Sequence, residues 1–268
     1  MLAAYVVLAA WYTHPLLPES GTRIAGDPGD PVLNASVLWW NATNVPLTNR
    51  WWNAPHFFPA RDVVTFTEHL LGVSVLSTPV YALTGNPLTT YNVALFLTWP
   101  LSAFAAYLLM LFLTRRQDAA IVAGLAWGFS PYRLSELGHL QSLSAYWLPL
   151  VLLGLHRFVA ERRAVWLVVF GIAWLMQSLA NGYYMVFMPV LIALWIAYFC
   201  STPDTWRRTP ALVLTWAAAS VPLVPIILKY VAVHDFYGLQ RSLRVYSGFS
   251  ADSHSWSNVA GTSRFAVG

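Results

Sequence analysis

The chain has 268 residues, 57% of them hydrophobic and only 10% charged, with a mean hydropathy of +0.54 and a formal net charge of +4. Those proportions exclude an ordinary soluble domain and indicate an integral membrane protein. The arginines are grouped at the ends of apolar stretches and form no single basic face, so the positive charge serves membrane orientation and nucleic-acid binding is set aside.

In chain order, uncharged stretches approaching the ~20 residues that cross a ~30 Å hydrocarbon core predict spanning helices at about 2–18, 90–113, 119–137, 143–157, 164–180, 183–200 and 210–231. The expected fold class is an all-α membrane protein of about seven transmembrane helices, with a long first outer loop, residues 19–89, containing interfacial helices. The first stretch lacks a basic leader and a small-residue cleavage site, and Pro15 and Pro18 end it, so it reads as a span and not as a signal peptide.

Within the loop, Val32 to Trp40, the Trp51-Trp52 pair and Leu70 to Leu83 are apolar or aromatic, as expected of segments lying at head-group depth. Leu70 to Leu83 would cover only ~21 Å as a helix and contains Pro79, so an interfacial or re-entrant helix is expected there and not an extra span. The motifs Asn34-Ala-Ser and Asn41-Ala-Thr match the N-glycosylation pattern but are read as chance matches. Pro131 should kink the outer end of the third span, placing Arg133 and Glu136 one turn apart, and Pro222 and Pro225 should interrupt the last. A lone Cys200 forms no intrachain disulfide, and no Cys/His spacing suggests structural zinc.

Orientation follows from three arginine groups: Arg115 and Arg116, then Arg157, Arg162 and Arg163, then Arg207 and Arg208. All fall on one side if the spans alternate. The positive-inside rule makes that side cytoplasmic, together with the N-terminus, and puts loop 19–89, the Ser130 to Ser142 turn and the tail 232–268 outside. In this outer loop Gly26-Asp27-Pro28-Gly29-Asp30 offers two close carboxylates. Either is a candidate general base, and a purely turn-forming role is the competing reading.

Three sets of residues resemble a known family. They are Gly26 to Asp30 after the first span; Leu83-Thr84-Gly85-Asn86-Pro87 through Tyr91-Asn92; and Ser130-Pro131-Tyr132-Arg133 through His139-Leu140-Gln141 to Trp147-Leu148-Pro149-Leu150. In this order they resemble the GT-C type of multi-spanning membrane glycosyltransferases, the group of the protein mannosyltransferases, oligosaccharyltransferases and lipid A aminoarabinose transferases, and especially its uncharacterised bacterial members. The resemblance covers nearly the whole chain. It implies an enzyme of the bacterial inner membrane that transfers a sugar, with inversion, from a polyprenyl-phosphate carrier to a glycan, lipid or protein acceptor on the outer face.

On this resemblance Asp27 or Asp30 is the catalytic base. The pair is also the expected ligand set for a divalent cation, Mg or Mn, and no other cofactor is implied. Arg133, His139, Lys229, Arg241 and Arg244 are the candidates to meet the donor phosphate. Residues 1–231 form the transmembrane module. Family members carry more spans, so 232–268 reads as the start of a further C-terminal part. A transporter or flippase that makes no bond, or a scaffold subunit, are the alternatives. The transporter predicts ionisable groups near mid-membrane, whereas the predicted spans are almost free of charge.

Overall fold

A computed structural model describes residues 1–26, 28–239, 242–248 and 250. The described residues are helical with no strand: α1 Leu2–Tyr12, α2 Asp30–Thr43, α3 Asn49–Trp52, α4 Leu71–Thr84, α5 Pro87–Thr114, α6 Gln117–Gly128, α7 Tyr132–Ser135, α8 Leu140–Leu143, α9 Trp147–Glu161, α10 Ala164–Ala180, α11 Gly182–Phe199, α12 Pro203–Trp206, α13 Thr209–Ser220, α14 Leu223–Tyr237 and α15 Leu243–Gly248.

Among these residues α5, the run Leu140–Glu161 and α11 are long and apolar enough to cross a membrane, and a fourth span is added if Pro203–Ser220 and Leu223–Tyr237, bent by 51°, form one. Length and apolarity thus support three or four of the seven spans expected from hydropathy. The difference has local causes. The first helix stops at Tyr12, before Pro15 and Pro18. The third predicted span ends at Gly128, because the residue before Pro131 is biased away from helix. The last breaks before Leu223 beside Pro222, whose missing N–H cannot continue the ladder. Ala164–Ala180 and Leu71–Thr84 are apolar but shorter.

Two helices organise the rest. α5 packs against α1, α2, α4, α6 and α9, and α10 packs against α4, α9, α11 and α13. Around α5 the core is built from Leu38, Leu70, Tyr91, Leu95 and Trp99; around α10 it is built from Leu155, Phe170, Trp174, Met188 and Ile192. Glycines set the closest crossings: a Cβ at Gly154 would lie 2.8 Å from Phe170 N, and one at Gly72 would meet Met176 O and Ala180 N.

The arginine groups gather at one end of the bundle. Arg157 stacks 4.9 Å over the ring of Phe112 near the end of α5, and Arg162 pairs with Asp204 at 3.0 Å. At the opposite end of α10, the Asn181 turn meets the segment 65–69.

Candidate functional site

The chain around Asp30 is fixed by amides. Asn92 of α5 donates to Ser20 O at 2.9 Å and to Arg23 O at 2.6 Å and accepts from Ala25 N, while Asn86 donates to Gly21 O at 3.0 Å. Asn86 also caps α5 by accepting from Leu88 N and Thr89 N. Asp30 opens α2, where a carboxylate is favoured by the helix dipole. Asp27 lies outside the described residues.

The turn between α6 and α9 is tied onto α2 by Asn34, whose Nδ2 donates to Gly138 O at 3.3 Å and Gln141 Oε1 at 3.4 Å. This brings His139 to Asp30: Nε2 stands 3.3 Å from Asp30 Oδ2, and Nδ1 stands 2.9 Å from Glu136 Oε2. The ring thus stands between two carboxylates, one within reach of each nitrogen.

Asp30, Glu136 and His139 line one rim of a cavity of about 1110 Å³. Its other walls are segment 65–69, the start of α11 and the inner face of α14, with Met185, Val186, Leu223, Ile226, Ile227 and Val231 as the apolar part. α14 is bound to the loop wall by Tyr230, whose hydroxyl donates to Thr67 O at 2.7 Å and Val64 O at 3.2 Å.

Glu68, which sequence reasoning passed over, also faces the cavity. Both its oxygens accept from Gly182 N, at 3.0 and 3.2 Å. Burial pushes its carboxyl above the usual glutamate range, with the Gly182 bond opposing. Beside it His69 is buried, and desolvation lowers its imidazole to about 4, so it is neutral at physiological pH. A single acid in an apolar loop carries no sequence signal; only the fold that brings Gly182 to it reveals the site.

The other candidate cations are dispersed. Arg133 is buried: its Nη2 donates to Leu143 O at 2.9 Å, its guanidinium lies 5.5 Å over the Trp99 ring, and burial lowers it to about 10, still charged. It makes no ion pair with Glu136 among the described residues and does not line the cavity. Lys229 is held 2.8 Å from Asp62 Oδ2 and near the Trp52 ring, also away from the lining. Arg244 is exposed on α15, next to the lining residue Val245, and Arg241 lies outside the described residues.

Among the described residues no three His, Cys, Asp or Glu side chains assemble a metal site. With Asp27 outside them, Asp30 alone does not provide the ligand set expected for a cation. Asn34 and Asn41 are buried, and Asn41 is fully engaged with His69 O, Ser74 Oγ and Trp51 Nε1, which agrees with reading their glycosylation patterns as chance.

No family model, curated protein or solved structure matches the chain.

Proposed function

We propose that this protein transfers a sugar from a polyprenyl-phosphate carrier to an acceptor on the outer face of the membrane, with Asp30, or its loop neighbour Asp27, as general base. One observation carries the reading. A single cavity joins a carboxylate–imidazole rim to a wall of aliphatic side chains from two membrane-length elements, α11 and the bent pair ending in α14. An amphipathic ligand with a prenyl tail and a hydrophilic head suits such a space.

In this reading the prenyl chain lies along α11 and α14, and the head group meets the rim. The acceptor's proton passes to the carboxylate as the oxygen or nitrogen attacks the anomeric carbon from the face opposite the departing phosphate, inverting the configuration. His139 at the rim and Arg244, exposed beside the lining residue Val245, are the groups available to offset the charge on the phosphate. The side of the membrane rests on the arginine groups gathered at the far end of the bundle, which the positive-inside rule assigns to the cytoplasm of a bacterial inner membrane.

The test is transfer in membranes supplied with a polyprenyl-phosphate sugar. Asp27→Asn and Asp30→Asn are assayed separately, and the variant that loses the base should fall by about 10² to 10⁴-fold. Unchanged transfer in both would remove the catalytic reading. A flippase remains the second reading for one reason: the 51° break between α13 and α14 borders the same cavity, and broken spans mark many transporter sites. Carrier movement across vesicles without bond formation would favour it.

A further inference from the structure

The cavity has a second polar wall, opposite in chemistry to its aliphatic side and separate from the Asp30 rim. It stands where α10 turns into α11. There Glu68 reaches across from the loop and holds Gly182 N with both oxygens. Asn181 already accepts from Tyr183 N and Tyr184 N. The helix start is therefore capped without Glu68, and a carboxyl kept in a half-buried place has more lone pairs than the single N–H it receives.

Next to it, in the last turn of α10, Ser178 lines the same cavity while only 3% exposed. Its hydroxyl has no partner among the described residues, although serines in apolar helices ordinarily bond back to the preceding turn or to a neighbour. A buried hydroxyl left unpaired costs free energy that a ligand group can recover.

We propose that Glu68 and Ser178 form a hydroxyl-binding subsite that holds the sugar ring of the carrier-linked donor, while the prenyl chain follows α14. The ring's hydroxyls donate to the free lone pairs of Glu68, and one accepts from or donates to Ser178. This assignment rests on the donor reading above and adds to it the part of the protein that distinguishes a glycosylated carrier from a bare one. Tyr183, His234 and Tyr230 are the other polar side chains facing this wall from α11 and α14, and among the described residues no arginine or lysine lines it. A neutral polyol therefore fits here better than the phosphate does.

The experiment measures binding, by calorimetry in detergent, of citronellyl phosphate and of its glucosyl, galactosyl, mannosyl and N-acetylglucosaminyl esters. The parent should bind at least one ester about tenfold more tightly than the bare phosphate, the scale of one charge-assisted hydrogen bond. Glu68→Gln keeps a carbonyl oxygen for Gly182 N–H, so the turn is preserved. It should bring that preference to within about twofold, with the affinity for citronellyl phosphate itself unchanged. Ser178→Ala, which removes a group with no protein partner, should fold normally and lose about threefold of the preference, a fraction of one neutral hydrogen bond.

A preference intact in both variants, or a parent that binds bare and glycosylated carriers equally, overturns the subsite. A parent that binds none of these carriers instead overturns the donor reading on which it rests.

Discussion

Asp30 and His139 lie in separate segments of the chain, yet the imidazole stands 3.3 Å from the carboxylate and is held from its other side by Glu136. Both partners are about half exposed, so the contact adds little to stability. Its consequence belongs to the chemistry: the imidazole fixes the direction of the Asp30 carboxylate at the cavity rim. If they act as a unit, their losses will not add. Asp30→Asn and His139→Ala should each reduce sugar transfer, and the double variant should be no more than about threefold worse than Asp30→Asn alone, as for residues acting on one step. Multiplicative losses would show that the two act independently.

His69 and Glu68 are neighbours with opposite acid responses. For His69 the folded-state imidazole is lowered to about 4 from 6.5, so its neutral form contributes stability that is fully present above pH 6.5 and lost as pH falls toward 4. The loss is on the order of 3 kcal/mol. For Glu68 the folded-state carboxyl is raised above 4.5, so it favours the fold at low pH, and this contribution disappears as pH rises through its folded value. Thermal unfolding of detergent-solubilised protein between pH 4 and 7 should therefore be flatter in His69→Gln than in the parent. Glu68→Gln should gain on the parent toward neutral pH. Parallel curves for His69→Gln and the parent would contradict the burial of this ring.

How much of this was legible beforehand differs from residue to residue. The helical class and the breaks near Pro15, Pro131 and Pro222 follow from composition and from the missing N–H of proline, which act locally. So does the turn Gly85-Asn86-Pro87, where Gly85 closes α4 at φ +61° and Asn86 caps α5. Where an apolar stretch continues past Pro15, Pro131 or Pro222, hydropathy averages across a break that the hydrogen-bond ladder does not tolerate. The partnership of Asp30 with His139 depends on Asn34 gripping Gly138, a long-range contact with no periodic trace. Lys229 reads as a candidate phosphate-binding cation in the sequence, but in the fold its charge is met by Asp62.

Gly72 and Gly154 are positions where packing requires the absence of a side chain. Alanine at Gly72 would drive its Cβ into the α10 backbone at Met176 and Ala180, and at Gly154 into Phe170 N at 2.8 Å. Each substitution should destabilise by about 1–3 kcal/mol, the cost of overpacking a close helix crossing. Gly138→Ala is the control: its Cβ would meet only Pro31 Cδ at 3.9 Å and should be tolerated. Thermal unfolding monitored by size-exclusion chromatography ranks the three.

Cys200 is buried, so the parent should label poorly with a membrane-impermeant maleimide. Single cysteines introduced at exposed Ser135 and Arg163 then report the two ends of the bundle. On the proposed orientation Ser135→Cys labels in intact cells and Arg163→Cys labels only after the membrane is opened. Labelling of both in intact cells would reverse the argument from the arginine groups.

Arg133 separates a structural from a ligand-binding cation. The residue is 4% exposed, its guanidinium lies 5.5 Å over the Trp99 ring and donates to Leu143 O, and its Nε has no partner among the described residues. The planar fork is what these contacts use, and lysine, with a compact ammonium, cannot reproduce both the ring stacking and the hydrogen bond. Arg133→Lys should therefore lower stability by about 1–3 kcal/mol despite conserving charge. Because Arg133 does not line the cavity, citronellyl phosphate should bind the folded variant within about twofold of the parent, too small a change for a lost ionic hydrogen bond. Loss of carrier binding at undiminished thermal stability would instead place Arg133 on the phosphate and require the α7 turn to open when the ligand enters.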